Sequence, residues 1–233
     1  MPRESPTPLR RVDIKLVKKV KISELFLQIP DFLAEFFASS EYPWELLPKI
    51  KGEIKALAER SGFTQISDGI WVGKGVKISE SATLIPPLII GDETEIRPGA
   101  YLRGNVIIGC GCVVGNSTEV KNSIILDSVQ IPHYNYVGDS VLGFHSHLGA
   151  GSVCSNLKSD GKSVVIRAEE EYHTNLRKVG AFLGDRADIG CGCVLNPGTV
   201  VGACTSVYPL TALRGVYPSG CIVKSADNVV KKV

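Results

Sequence analysis

Aliphatic side chains recur every six residues through most of this chain, and that period constrains the fold more than any other feature. From Val72 the steps land on Ile78, Leu84, Ile90, Ile96, Leu102, Ile108, Val114, Val120 and Leu126. Four residues after each lies a second series, mostly small or β-branched: Val76, Ala82, Leu88, Thr94, Ala100, Val106, Cys112, Thr118 and Ile124. The period returns at Leu183, Ile189, Leu195, Val201, Val207 and Leu213, partnered by Ala187, Cys193, Thr199, Thr205 and Thr211. Six is neither the period of an α-helix nor the alternation of a hairpin. It marks a parallel β-helix of hexapeptide repeats, each repeat a short strand plus a corner, whose stacked coils bury a continuous core. Three hexapeptides make one coil, so equivalent positions recur about 18 residues apart.

The register fails twice. Pro132 stands where an aliphatic is due and the segment 131–141 slips, before Leu142 and Leu148 resume the pattern. A polar excursion over 155–178 then carries Lys158, Asp160, Lys162 and the run Glu169, Glu170 and Glu171, which reads as a solvated loop. Regular coils need no such departures, so a site is expected at them. Ahead of the solenoid, Asp31 is expected to N-cap a helix that carries Phe32, Leu33, Phe36 and Phe37. A second helix is expected from about Pro43, kinked at Pro48 and ended by Ser61-Gly62, with Leu46, Leu47, Ile50, Ile54, Leu57 and Ala58 on its buried face. The expected division is 1–66 for an N-terminal tail and helical segment and 67–233 for the β-helix. The first 15 or so residues, polar and proline-bearing, are expected to be loose.

Composition acts mainly by exclusion. A formal charge of +2 recommends no nucleic-acid partner. No apolar run is long enough to span a membrane, and Met1–Arg11 has no apolar stretch of the secretory kind. The seven cysteines include two CxC pairs, Cys110/Cys112 and Cys191/Cys193, inside apolar repeats. They read as small buried side chains rather than zinc ligands, and an odd count of free thiols suits a reducing, cytoplasmic setting.

The stretch GNSTEVKNSIILDSVQIPHYNYVGDSVLGFHSHLGAGSVCSN, residues 115–156, resembles the left-handed β-helix acyltransferase superfamily. Within it, the stretch resembles the acetyltransferase domain of bifunctional N-acetylglucosamine-1-phosphate uridyltransferase/glucosamine-1-phosphate acetyltransferase. EYPWELL, IRPGAYLRGNVIIG, HYNYVGD, NLKSD and LNPGTVVG extend the likeness along nearly the whole chain, to a stand-alone group described as UDP-N-acetylglucosamine pyrophosphorylase-related. The resemblance implies an all-β, left-handed parallel β-helix with a small N-terminal helical cap. It also implies a homotrimer with sites between subunits, acetyl-CoA as co-substrate, and a sugar phosphate or sugar nucleotide as the other ligand. No glycine-rich phosphate loop followed by a helix occurs in the first 62 residues, so nucleotidyl transfer is not expected of this chain alone.

Carried over position by position, the resemblance makes His133 the catalytic base, Tyr136 and Lys121 contacts to the sugar phosphate, and Asn156 the asparagine of the CN pair. His147 stands where the family has Asn, and Leu157 where it has Tyr. Ala150 and Cys191 are implied beside the pantetheine arm. The family's arginine lies in an RPGA motif, which Arg97 copies, whereas one coil before Lys121 lies Arg103; motif and spacing choose differently.

The chemistry suits these residue types. Attack by an amine needs a base that titrates near neutrality, as histidine does. A developing oxyanion needs donors such as the backbone N–H groups around Gly149-Ala150-Gly151. Two cations on one corner repel unless an anion lies between them, which favours a phosphate. Two other readings compete with acyl transfer. One is a non-catalytic sugar-nucleotide-binding solenoid that works with a separate nucleotidyltransferase. The other is a three-histidine metal enzyme, but His133, His145, His147 and His173 do not recur at coil-length steps.

Overall fold

A computed structural model of the chain describes Val12 and residues 20–232. The amino-terminal stretch expected to be loose lies outside the described residues, apart from Val12. The rest is a three-sided parallel β-helix with a helical segment against one side. The sides are sheets of nine, nine and seven strands. Strands at 70–72, 88–90, 106–108, 123–125, 141–142, 181–183, 199–201 and 216–217 form the first sheet, with 64–67 added antiparallel at its edge. Those at 77–78, 95–96, 113–116, 130–133, 147–148, 188–189 and 206–207 lie in the second, and those at 83–85, 101–103, 119–121, 136–138, 153–154, 194–195 and 212–213 form the third. The first sheet leads to the second through a first corner, the second to the third through a second corner, and the third back to the first through a third corner.

The hexapeptide aliphatics fill the interior as the period predicts. Ile96, Leu102, Ile108, Val114 and Val120 are buried in one core with Leu183, Ile189, Leu195, Val201, Val207 and Leu213. A final antiparallel pair, Cys221–Ser225 with Asn228–Lys231, closes the carboxyl end and tucks Val229 into that core.

The first slip of register comes earlier than Pro132. The third corner spends two residues, Gly104 and Asn105, in one coil but only Asn122 in the next, so the third-sheet spacing between coils drops from Tyr101↔Glu119 to Glu119↔Tyr136. A one-residue shift exchanges inward and outward faces of a strand. Ile125 therefore takes the core position that the count by six assigns to Leu126, while Leu126 and Ile124 turn outward. Ile131 is the core residue of the next strand, so Pro132 never competes for that place. Asn122 and its successor Asp139 both turn the corner at positive φ, a conformation Asn and Asp tolerate better than most residues. Pro132 instead runs so close to Gly115 that any side chain there would strike its backbone.

The helical segment lies along the outer face of the first sheet. Ile89, Ile107, Ile124, Leu126, Val141, Phe182 and Val200 form a second core with Phe36, Phe37, Trp44, Leu47, Ile50, Ile54 and Leu57. Two local expectations are corrected. Asp31 is not an N-cap: it opens a 3-10 turn, Asp31–Leu33, after Pro30, and makes no capping bond. The second helix is not continuous from Pro43. Pro43–Glu45 is a separate 3-10 turn and the helix is Ile50–Arg60, because Pro48 disfavours helix at the residue before it and ends one element instead of kinking a longer one.

The excursion leaves the third sheet after Cys154 and returns at Ala181. It contains an antiparallel hairpin, Val165–Arg167 with Glu171–His173. Val164, Ile166, Tyr172 and Val179 join the second core, so this segment packs on the helices as well as on the solenoid.

Candidate active site

Stacking gives every outward residue a neighbour on the adjacent coil, about 4.8 Å away. Two edges of the third sheet carry the residues that the sequence singles out. At the second corner, His133 pairs with Asn116 above it, and its carbonyl accepts the Gly151 N–H below. The Ala150 carbonyl accepts the Gly192 N–H, and the Cys191 carbonyl accepts that of Leu210. Asn116, His133, Ala150, Cys191 and Pro209 therefore form one column, with His133 above the two residues expected along the acyl-donor arm. The His133 imidazole is exposed and has no hydrogen-bond partner among the described residues. The column narrows below it to small side chains, and a Cβ at Gly151 would meet nothing within 4 Å. An extended chain fits along such a strip.

The backbone donors at this corner are not equivalent. The Gly149 N–H is bonded to the Ile189 carbonyl and the Gly151 N–H to His133. Of the three donors considered from the sequence, only that of Ala150 has no acceptor among the described residues, because the coil ladders consume the others.

Arg103 and Lys121 stand on the outer face of adjacent third-sheet strands, as the one-coil spacing predicts. Each has a carboxylate of its own. Arg103 Nη1 lies 2.5 Å from Glu119 Oε1, with its guanidinium over the Tyr101 ring. Lys121 Nζ lies 3.0 Å from Asp139 Oδ2. Asp139 is the hub of this corner: its buried carboxylate also accepts from Asn122 Nδ2 at 2.8 Å and Asn156 Nδ2 at 2.5 Å. Tyr136 lies between them. Burial pushes its hydroxyl above the ordinary tyrosine range, the carboxylates of Glu119 and Asp139 push it further, and the Asn156 amide and Arg103 oppose them. Lys121 and Asn156, both implied by the resemblance, thus share the Asp139 carboxylate at one corner, with Tyr136 beside them.

Arg97 and His147 lie elsewhere. Arg97 ends a second-sheet strand and pairs with Glu95 at 3.3 Å, in the column of Gly115 and Pro132, on the His133 side of the third sheet. His147 faces outward from the second sheet, its Nδ1 2.9 Å from Asp188 Oδ1. Asp139 and Glu119 were missed in the sequence. Asp139 lies 18 residues after Lys121, but the shortened corner makes Gly138 the coil equivalent of Lys121 and Asp139 that of Asn122, so the interval that selected Arg103 carries no geometric meaning here.

The CxC pairs are only half buried. Cys112 and Cys193 point into the core; Cys110 is partly exposed and Cys191 exposed, since residues two apart at a corner do not share the inward direction. Burial pushes the Cys112 and Cys154 thiols up to about 12, which makes them unreactive packing groups.

The profile of a family described as the GMPPB C-terminal domain matches residues 84–174. The bifunctional protein GlmU of Methanococcus vannielii is 29% identical over 197 residues, 84% of this chain and 46% of that protein. A bifunctional sugar-1-phosphate nucleotidylyltransferase/acetyltransferase of Sulfurisphaera tokodaii is 32% identical over 174 residues, 72% of this chain and 43% of that protein. The chain is thus similar over most of its length to bifunctional proteins of this kind, which fits the resemblance to hexapeptide-repeat acyltransferases read from its sequence. The chain spans about half the length of the curated relatives it matches. Among solved structures, PerB of Caulobacter crescentus, in complex with CoA and GDP-perosamine, is 20% identical with a TM-score of 0.40 over 63% of this chain and 52% of that one, a similarity too low to bear on function. No helix among the described residues is long and apolar enough to cross a membrane.

Proposed function

We propose that this protein is an acyl-CoA-dependent acetyltransferase acting on an amino sugar or sugar phosphate, in a reducing cytoplasm, as a homotrimer with sites between subunits. The observation that best supports the reading is the juxtaposition on one sheet: a lone imidazole above a strip of small residues at one edge, and a lysine and an asparagine tied to one carboxylate beside a tyrosine at the other. The acetyltransferase activity named for the Sulfurisphaera relative agrees with it.

Acetyl-CoA supplies an activated thioester. In this reading Ala150 and Cys191 flank its arm, and His133 takes the proton from the attacking amine. The Ala150 N–H donates to a carbonyl oxygen placed beside it. Arg103 and Lys121 share a sugar phosphate with their resident carboxylates, and Arg97 is the motif-based alternative to Arg103. Tyr136 stays protonated and donates through its hydroxyl, while Asn156 orients it. His147, held by Asp188, influences the choice of acceptor more than the rate. The test is acetyl transfer to a panel of amino-sugar phosphates by wild type and His133→Ala. Loss of about 10²-fold or more in the variant, with CoA still bound, is expected.

One observation favours a second reading. The matched profile is a C-terminal domain and the relatives are bifunctional proteins, which suits a non-catalytic sugar-nucleotide-binding solenoid beside a separate nucleotidyltransferase. No transfer to any acceptor by wild type, with sugar nucleotide bound, would decide for it.

A further inference from the structure

The excursion and the late third corners enclose a pocket of about 430 Å³, within the range of about 300–1,000 Å³ typical of small-molecule sites. Its charged lining is Lys158, Asp160, Arg167 and Arg214; its apolar lining is Val165, Ala168, Pro197 and Val216. Three cations face one carboxylate. Lys158 Nζ lies 3.2 Å from Asp160, and Arg167 Nε lies 3.1 Å from Glu171 on its own hairpin. The Arg214 guanidinium has no partner among the described residues.

The close approach is built in. Gly198 turns its corner at φ 80°, and a Cβ there would come within 2.8 Å of Val164. Gly215, at φ 90°, sits under the Arg167 carbonyl. Glycine at both corners lets the hairpin settle onto the solenoid and brings Arg167 and Arg214 to the same pocket. Arg214 continues the outward column of Arg103 and Lys121, following Asn196 on the coil before. It stands four coils beyond Lys121, roughly 19 Å at the spacing of paired strands. Arg214 is thus remote from Lys121, while Lys158, two residues after Asn156, marks the side of the pocket nearer that corner; the pocket lies at the opposite edge of the third sheet from the His133 column.

We infer that this pocket binds a nucleoside diphosphate, its phosphates against Lys158, Arg167 and Arg214 and its base against Val165, Pro197 and Val216. The Arg214 guanidinium, without a partner among the described residues, draws the phosphates alongside the ion-paired Lys158 and Arg167, and the apolar wall gives the base a surface that inorganic phosphate cannot use. The inference stands whether or not the chain transfers acetyl groups.

The test is calorimetric titration of the full chain with UDP, ADP, inorganic pyrophosphate and CoA, for wild type, Lys158→Ala, Arg214→Ala and, as a control for lost charge, Arg60→Ala on the remote helix. Binding of UDP or ADP that weakens about tenfold in each pocket variant, but not in Arg60→Ala, supports the inference. Pyrophosphate bound as tightly as the nucleotides overturns the assignment of a base to the apolar wall. Binding of CoA alone, lost in Arg214→Ala, gives the pocket to the acyl donor and overturns a separate nucleotide site. Unchanged affinity in both pocket variants, or no nucleotide binding at all, also overturns it. Arg214 and Arg60 are exposed and Lys158 is half-buried, its ammonium bonded to Asp160 and the Ser163 carbonyl, so an unchanged melting temperature is required of each variant before its affinity is read.

Discussion

Asp139 shows how much a single residue can organise. Its carboxylate accepts from three side chains at a corner turned at positive φ. Replacing it with Ala leaves a half-buried lysine and two amides without their acceptor. The expected cost is about 1–3 kcal/mol of stability, the usual penalty for an orphaned buried donor, measured by urea unfolding. In the proposed reading, Asp139→Asn has a second effect. Lys121 is freed of its carboxylate, so an amino-sugar phosphate should change its KM more than its kcat. Equal KM values for the two proteins would show that Asp139 serves the fold alone. Arg103 and Arg97 separate by the same logic. Arg103→Ala should weaken sugar-phosphate binding, measured by calorimetry, and leave the melting temperature almost unchanged because the side chain is exposed. A loss in Arg97→Ala with none in Arg103→Ala would reverse the choice of register.

At the scale of elements, a buried carboxylate and an aromatic cluster add specific contacts to the second core that holds the helical segment on the solenoid. Asp185 sits at a first corner and accepts from the backbone N–H groups of Leu27, Gln28 and Phe144. Burial holds its carboxyl above the usual range, against the pull of those three donors and of Arg186. A raised folded pKa means that the native state binds the proton more tightly than the unfolded one. The cost of burying the charge is therefore absent below the unfolded value, appears as pH rises through the folded value, and is constant above it. Asp185→Ala should remove that downward slope of stability with pH from an acid-range denaturation series. It should also speed hydrogen exchange at the Leu27 and Gln28 amides. The aromatic cluster is Trp44 stacked on Tyr42 at 4.7 Å, with Tyr172 of the excursion and Phe182 of the first sheet around it. Trp44→Ala should cost about 3–5 kcal/mol, the range for an aromatic lost from a core. Limited proteolysis should then cut the excursion first.

At the scale of the molecule, the helical segment covers one of the three faces and leaves the second and third sheets open. Tyr101, Tyr134, Val194, Tyr208 and Leu210 are exposed there or at the corner between them. The proposed trimer should appear in light scattering at three times 25.0 kDa, and Leu210→Asp, at the most exposed of these residues, should shift it toward monomer. A wild-type monomer that still turned over substrate would remove the between-subunit site. The six-residue period alone determined the solenoid and most of its core, because a buried aliphatic at every coil position is a local and repeated demand on the chain. It also brought Arg103 to Lys121, since stacking turns sequence spacing into distance. It could not reveal that one corner is a residue shorter than the last, because Leu126 and Ile125 are equally apolar and only stacking against Ile108 chooses between them. Nor could it show that Lys121 and Arg103 have carboxylates already, that Ala150 holds the free N–H, or that the excursion folds back to make a cationic pocket with Arg214. Those depend on groups far apart in the chain meeting at one corner, and only tertiary packing decides that.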